Sequence, residues 1–341
     1  MPQLSPRESA ILKTVVYFDL FDYPLTLLEL YQNLPAEKAG DLVGLDLSEL
    51  ERIISQSDFL KRKLQSHNGF YFLSGREDII AARQDRYRCF LKKMRRAKRL
   101  IFFLRFVPYI KGVAICNSLS FANALSDSDI DFFILTKPGA LWSARGWAII
   151  LAELLGRRPA PGKTKDAYCL SFFAAENADL NTLRLTPEDV YFDWWAANLL
   201  PIYNKDNAFE KFFAANQWLK DCRPNAVLKK IAGRFYCHSG LPRRTRVKAG
   251  PRAGIQSHWI DGHRTAMRGD KRIERFWRVL QTRRLPTALK TAANTSGGVV
   301  INDQVLKFHW PDKREEYRER FERRVRGVKE NVEFSSPADE L

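Results

Sequence analysis

The chain has 341 residues, of which 45% are hydrophobic and 12% aromatic, so it can bury a sizeable core and global disorder is excluded. This length suits two or three domains. The formal net charge of +17 favours polyanionic partners such as nucleic acid or nucleotides. The five cysteines are widely spaced without a CxxC pair, which argues against a disulfide framework and indicates a reducing, cytoplasmic environment.

Targeting and membrane segments are not expected. The first seven residues are polar and contain two prolines, unlike a signal peptide. The longest apolar stretches, residues 100–110 and 144–155, are short and are interrupted by Arg105 and Glu153. We therefore expect no membrane partner.

Residues 1–75 predict three short helices followed by a hairpin. The helical patterns or caps lie at residues 8–20, 27–34 and 47–55. Two extended runs then flank Asn68-Gly69, a dipeptide typical of hairpin turns. This order predicts a winged-helix-like domain, and a small helical cap with one hairpin is the alternative.

A long basic helix is predicted for residues 76–108, since its apolar side chains recur at helical spacing and the pattern ends before Pro108. The lysine and arginine side chains of this helix are compatible with a solvated linker helix or with a contact to nucleic acid. Residues 109–222 then alternate strands with helices, which indicates an α+β core. The strands are expected at residues 112–118, 130–136 and 167–174, and the helices at 139–155, from Thr186-Pro187 through Trp195, and at 208–219.

The C-terminal region, residues 223–341, is strongly basic and predicted to be rich in helix. Residues 229–290 hold 17 Lys and Arg but three acids, interleaved with aromatic side chains. That composition suits nucleic acid, and a solvated region covering the core is the alternative. A helix is predicted near residues 272–283, a strand pair at 299–310 and a charged helix at 312–328.

Three aspartates, Asp127, Asp129 and Asp131, border the second core strand at two-residue spacing. Residues two apart on a strand point to one face, so Asp129 and Asp131 should converge while Ile130 and Phe132 face the core. Two adjacent carboxylates repel each other, and an oxygen-preferring cation such as Mg²⁺ relieves the repulsion. Asp127 is interpreted as a solvated turn residue.

Other motifs can be compared with this stretch and with the rest of the chain. An EF-hand loop counted from Asp127 would need Gly and Glu where the chain has Phe132 and Pro138. A purely solvated, turn-forming group of aspartates stays open. No Walker A, GxGxxG or GxSxG motif is present. Four residues fit no common zinc spacing: Cys237, His238, His258 and His263.

Residues 113–132 resemble the motif of the nucleotidyltransferase superfamily that includes DNA polymerase beta and the minimal nucleotidyltransferases. In that motif an apolar strand ends in Gly-Ser, about ten residues follow, and Asp-apolar-Asp-apolar begins the next strand. Here the strand is Val113–Ile115, the turn is Asn117-Ser118, and the last element is Asp129–Phe132. The resemblance implies a polymerase beta-like mixed sheet.

The same resemblance implies roles for four residues. Ser118, with Asn117 in the turn, would contact a nucleoside triphosphate. Asp129 and Asp131 would be catalytic and would bind one or two Mg²⁺ ions. The wider chain also resembles bacterial nucleotidyltransferase-domain proteins with an N-terminal winged-helix-like region, through residues 17–26, 199–219 and 306–317.

Two departures from the motif affect the expected function. Asn117 replaces Gly, although Asn tolerates positive φ better than most residues. The third carboxylate is missing from the strand at residues 168–173, where we expect Ser171 inward and Asp166 and Glu176 beyond either end. The expected function is a Mg²⁺-dependent transfer of a nucleoside monophosphate to a hydroxyl acceptor. The alternative is a catalytically degenerate, nucleic-acid-binding module.

Overall fold

The computed structural model describes residues 4–330 apart from residues 160, 161, 163, 187, 188, 228, 230–270 and 296. The described chain is mixed α+β, as expected. A six-stranded mixed sheet with flanking helices forms the larger unit, and a three-stranded antiparallel sheet lies near the N-terminus.

The N-terminal elements are α1 (Pro6–Asp19), β1 (Leu25–Thr26), α2 (Leu27–Gln32), α3 (Leu47–Gln56), α4 (Asp58–Lys63), β2 (Leu64–His67) and β3 (Phe70–Leu73). Capping boxes begin α1 at Ser5 and α2 at Thr26, because each hydroxyl and the glutamate three residues later satisfy free backbone N–H groups. Asn68 and Gly69 have φ of 52° and 78°, so the predicted β2–β3 hairpin turn is confirmed. The sequence did not predict α4 or β1.

Helix α5 (Ile79–Leu104) lies within the range predicted for the long basic helix. Its second half contributes buried apolar side chains to the main core, among them Met94, Leu100 and Leu104. It is therefore part of the packed core and more than a solvated linker.

The central elements are β4 (Ile110–Ile115), β5 (Ile130–Thr136), α6 (Leu141–Leu154), β6 (Tyr168–Ala175), α7 (Val190–Ala197), β7 (Leu200–Asn204), α8 (Ala208–Ala215) and α9 (Trp218–Cys222). Strand β7 was not predicted and lies at one edge of the sheet, where Pro201 is tolerated. The helix predicted at 208–219 is broken between α8 and α9. Asn216 lies at this break, where its buried side chain accepts from the Leu180 N–H at 2.7 Å.

The C-terminal elements are α10 (Lys271–Arg284), α11 (Thr287–Thr291), β8 (Val299–Ile301), β9 (Val305–Phe308) and α12 (Arg314–Glu330). The sheet order is β7-β4-β5-β6-β9-β8, with β5 and β6 parallel and the other neighbours antiparallel. Strands β8 and β9 therefore complete the central sheet, so the expected C-terminal region is not separate from the core.

Aromatic stacking and buried polar contacts join the N-terminal unit to the core. The rings of Tyr17 on α1 and Trp194 on α7 stack with centroids 4.0 Å apart. The Trp194 Nε1–H donates to the Asn33 carbonyl at 3.0 Å. Asp19 forms buried ion pairs with Arg76 and with Arg324 of α12. No helix among the described residues is long and apolar enough to cross a bilayer.

Candidate functional site

The start of β5 presents two aspartates on one face of the sheet. Ile130 and Phe132 are fully buried, at 0% and 1% exposure, whereas Asp129 and Asp131 are half-buried. The alternation predicted from the sequence is thus confirmed. The strand holds both carboxylates at one edge of a rigid sheet.

Cys169 lies beside the two aspartates, at the place where we expected Ser171. Asp131 pairs with Cys169 in the parallel β5–β6 register, and one ligand atom from each of Asp129, Asp131 and Cys169 lies within 4.8 Å of the others. The register shifts before the next pair, Phe133 with Phe172, so β6 holds one extra residue there. Such a bulge changes which side chain faces the partner strand, and no residue pattern in the sequence predicts its position.

Neither of the acids that flank β6 joins the aspartate pair. Asp166 accepts from Lys93 at 3.0 Å and also pairs with Arg96. Glu176, beyond the other end of β6, pairs with Lys211 at 3.2 Å. Among the described residues, the one group of three ligand-type side chains close enough to share a metal ion is therefore Asp129, Asp131 and Cys169.

Ser171 connects Cys169 to a histidine that the sequence did not indicate. The Cys169 thiol donates to the Ser171 hydroxyl at 3.2 Å, and that hydroxyl lies 3.2 Å from His309 Nε2, just after β9. Burial lowers the pKa of His309 to about 4, so the ring is neutral near pH 7. The pairing of β9 with β6, a contact between distant residues, brings His309 here, and no local pattern predicts it.

The turn after β4 adjoins the aspartates. Asn117 begins a short 3-10 helix, Asn117–Phe121, with φ of 55°, so it adopts the left-handed conformation that the motif usually assigns to Gly. Its side chain lies close enough to the Asp131 carboxylate to lower the pKa of that group.

Ser118 faces a small internal cavity that the N-terminal unit closes. The cavity has a volume of about 30 Å³ and is lined by aromatic side chains that include Tyr17, Trp194 and Trp195. This space is large enough for a water molecule and too small for a nucleotide.

The loop before β5 is anchored by a buried lysine on α5. The Lys93 ammonium donates to the carbonyls of Ser126 and Ser128 at 3.3 and 2.6 Å and to Asp166 at 3.0 Å. Asp127, between those serines, is 82% exposed and pairs with Lys165 at 3.0 Å. It is a solvated loop residue, as interpreted from the sequence.

Burial, with charge repulsion as a smaller cause, raises the pKa values at this site. Burial, together with the Asp129 charge, raises the pKa of Asp131 to about 7, and burial also raises the pKa of Asp129. Burial and the two carboxylates hold the pKa of the Cys169 thiol well above its usual range. The pair therefore favours either a proton or a bound cation, and Cys169 is a neutral thiol.

The donor set fits Mg²⁺ in part. The carboxylates of Asp129 and Asp131 supply the hard oxygen ligands that Mg²⁺ prefers, and this ion keeps several waters. A thiol is a soft ligand that Mg²⁺ does not select. Two of the three side chains in the group could therefore offer oxygen ligands to such an ion, and the third, Cys169, offers a thiol.

Comparisons of the chain with family models, with curated proteins and with solved structures find no match. The four residues whose spacing fits no common zinc pattern, Cys237, His238, His258 and His263, lie outside the described residues. Of the basic segment 229–290, the structure describes residue 229 and residues 271–290.

Proposed function

We propose that the chain is a divalent-cation-dependent nucleotidyltransferase that moves a nucleoside monophosphate from a nucleoside triphosphate to a hydroxyl acceptor. One observation supports this most directly: Asp129 and Asp131 converge beside the positive-φ turn at Asn117, whose side chain lowers the pKa of Asp131. The spacing of these residues in the sequence resembles the superfamily motif, and their proximity in space agrees with the roles that the resemblance implies.

The site residues would have separate roles in the proposed reaction. Asp129 and Asp131 would hold the ion and release their shared proton as it binds. Bound Mg²⁺ supplies charge neutralisation at the phosphates. The turn at Asn117 and Ser118 would orient the triphosphate. The oxygen of the acceptor hydroxyl would then bond to the α-phosphorus as the bond to pyrophosphate breaks, and the hydroxyl proton would pass to solvent water.

Matched aspartate variants test this proposal. Asp129→Asn and Asp131→Asn remove one negative charge each from the pair, so both should weaken Mg²⁺-dependent binding of nucleoside triphosphate by at least about tenfold. Asp127→Asn removes the same charge from the same loop but from an exposed side chain, and should change nothing. Calorimetric titration with ATP, GTP, CTP and UTP, with and without Mg²⁺, measures the effect.

The outcome is decisive in either direction. Equal nucleotide binding by all three variants and the wild type would place the nucleotide site elsewhere. Absence of binding by the wild type would exclude a nucleotide site. Selective loss with Asp129→Asn and Asp131→Asn should be accompanied by loss of pyrophosphate release when an acceptor is present.

A second function is favoured by the neutral thiol at the third position. A nucleotidyltransferase fold with Cys169 there would be catalytically degenerate and would act as a nucleic-acid-binding module. Helix α10 supports this alternative, because Arg275 and Arg283 flank Phe276, which is 60% exposed. Cations beside an exposed ring suit a phosphate backbone and an unstacked base.

Salt dependence separates this alternative from the enzyme. The module should bind single-stranded RNA or DNA with affinity that falls steeply with salt concentration, and Arg275→Glu with Arg283→Glu should reduce both affinity and slope. Asp131→Asn and removal of Mg²⁺ should leave this binding unchanged. Absence of binding at low salt would rule the module out.

A further inference from the structure

A large groove lies away from the aspartate pair, where the N-terminal unit, the core and α12 meet. Its volume is about 1180 Å³. One wall is the loop at residues 35–43, the second is formed by residues 220–224 after α8, and the third is one face of α12. The proposed transferase chemistry makes no use of this groove.

A buried arginine that forms no ion pair among the described residues lines the groove, although the charge of Asp193 acts on it. Arg223 is 4% exposed, its guanidinium lies 3.9 Å above the Trp194 ring, and it donates to the Cys222 carbonyl at 3.2 Å. Its Nε has no hydrogen-bond partner within the part of the chain that the structure describes. The nearby Asp193 is instead paired with Arg184 at 3.0 Å. A buried cation of this kind is stabilised when an anion binds against it.

The walls add further unbalanced positive charge. Of the four acids in the lining, Glu37 and Glu322 are paired with the lining cations Lys13 and Arg318, Asp193 is paired with Arg184, and Asp221 forms no ion pair among the described residues. The lining holds seven lysines and arginines against these four acids, which leaves an excess of three positive charges. Within the described residues, four other lining cations form no ion pair, and they come from all three walls: Lys38, Lys220, Arg326 and Lys329. The groove therefore complements a ligand with several negative charges.

The aromatic and apolar lining indicates the kind of ligand. Both faces of Trp194 are covered, one by Tyr17 and the other by Arg223, so no base can stack on it. Apolar side chains lie between the cations, including Leu42, Val43 and Val325. The volume also exceeds the range of about 300–1,000 Å³ typical of small-molecule pockets. A peptide that combines acidic and apolar side chains fits these features better than a nucleotide does.

We propose that this groove docks an acidic peptide segment of a partner protein. Its carboxylates pair with Arg223 and with the cations of the three walls, and one or two apolar side chains pack against Val43 and Val325. This follows the general mode in which a groove with basic walls receives an acidic segment and anchors it through apolar contacts.

The experiment uses the full chain and a defined probe. The probe is a fluorescein-labelled synthetic peptide of glutamates with two leucines one helical turn apart. One matched peptide has glutamine in place of every glutamate, and a second has serine in place of both leucines. Fluorescence anisotropy at fixed ionic strength measures binding.

Surface variants provide the main test, because they leave the buried residues intact. Lys220→Glu with Lys329→Glu should weaken binding of the acidic peptide by at least about tenfold. Lys61→Glu with Arg62→Glu makes the same charge change on exposed α4, outside the groove, and should leave the affinity within about twofold. Arg223→Met, with its folding verified by thermal melting, should also weaken binding.

Several results would overturn the proposal. Equal weakening in the two double variants would mean that the peptide responds only to net charge. Equal binding of the glutamine peptide would remove the role of the cations, and equal binding of the serine peptide would remove that of the apolar wall. Displacement by inorganic phosphate at the peptide's own concentration would indicate a phosphate site. Failure of the full chain to bind the acidic peptide would exclude peptide docking.

Discussion

At the scale of single residues, the chemistry of the candidate site depends on Cys169. A carboxylate there would complete a set of three acids, whereas the thiol is neutral and donates to Ser171. Burial and, to a smaller extent, the charge of Asp129 already raise the pKa of Asp131. A third negative charge would therefore need a cation more strongly than the present pair does.

Replacing Cys169 by Asp should make stability depend on divalent cations. Without a cation, Cys169→Asp should lower the free energy of unfolding by about 2 kcal/mol, because a third charge joins a half-buried cluster. Mg²⁺ should restore this loss through preferential binding to the folded state. Urea denaturation with Mg²⁺ or with EDTA measures both effects. Cys169→Ser, which adds no charge, is the control, and an equal response of the two variants to Mg²⁺ would contradict the prediction.

His309 should make stability fall in mild acid. Its pKa is lowered by burial to about 4 from an ordinary value near 6.5, so the unfolded chain binds a proton between these values and the folded chain does not. Stability from this group is therefore present above pH 6.5 and is lost as pH falls towards 4. Between pH 7 and pH 5 the loss from His309 should be on the order of 2 kcal/mol. Asp131, whose pKa is raised to about 7, acts in the opposite direction over this interval, because the folded chain holds its proton more tightly than the unfolded chain.

The pH effect can be assigned by substitution. His309→Gln should lose less stability than wild type over this interval in urea titrations. His67→Gln, at a histidine whose side chain is 53% exposed, should keep the wild-type dependence. If His309→Gln also keeps it, the acid sensitivity has another source.

At the scale of elements, helix α5 positions the start of β5. The buried Lys93 joins α5 to the loop at residues 126–128 and to Asp166 before β6. Two backbone hydrogen bonds join the same segments, from the Asp166 N–H to Ser128 at 3.0 Å and from the Ile130 N–H to Ala167 at 2.8 Å. These hydrogen bonds fix the residues on both sides of Asp129, Ser128 and Ile130, and thereby position its carboxylate.

Neighbouring lysines on α5 allow a matched comparison. Lys93→Met should lower the free energy of unfolding by about 3–5 kcal/mol, because it leaves the carbonyls and Asp166 without their buried donor. Lys92→Met, at an exposed position one residue earlier, should change it by no more than about 0.5 kcal/mol.

A second readout distinguishes positioning from simple stability. At a temperature where both variants are folded, Lys93→Met should bind Mg²⁺ more weakly than Lys92→Met, since the loop that carries Asp129 is released. Unchanged Mg²⁺ affinity in folded Lys93→Met would limit this lysine to a structural role.

At the scale of the whole molecule, a buried triad ties three distant parts of the chain together. Asp19 on α1 accepts from Arg76, after β3, at 3.1 Å and from Arg324 on α12 at 2.5 Å. All three residues are buried. The N-terminal unit and α12 should therefore unfold together with the core.

Removing the shared acid should strongly destabilise this assembly. Asp19→Ala leaves two buried guanidinium groups without their common partner, and should cost about 3–5 kcal/mol in free energy of unfolding. Asp85→Ala removes the acid of an exposed pair with Arg88 and should cost no more than about 1 kcal/mol. Thermal unfolding followed by circular dichroism and by tryptophan fluorescence should show a single transition in wild type. Separate transitions there would contradict the coupling.

The sequence alone determined the features that depend on neighbouring residues. The period-two alternation around Asp129 and Asp131 predicted which side chains face the core, and Asn68-Gly69 predicted the hairpin, because both follow from local backbone geometry. Asn117 could likewise be expected to replace Gly in a left-handed turn. The α+β class followed from the same local patterns.

Only the tertiary structure decided which residues from distant segments meet. The bulge in β6 places Cys169 opposite Asp131, the pairing of β9 with β6 brings His309 to Ser171, and three separate segments form the groove around Arg223. Strand register and the packing of helices depend on the whole core, so no short stretch of sequence contains them. The aspartate pair is thus local in origin, and its surroundings are a property of the complete fold.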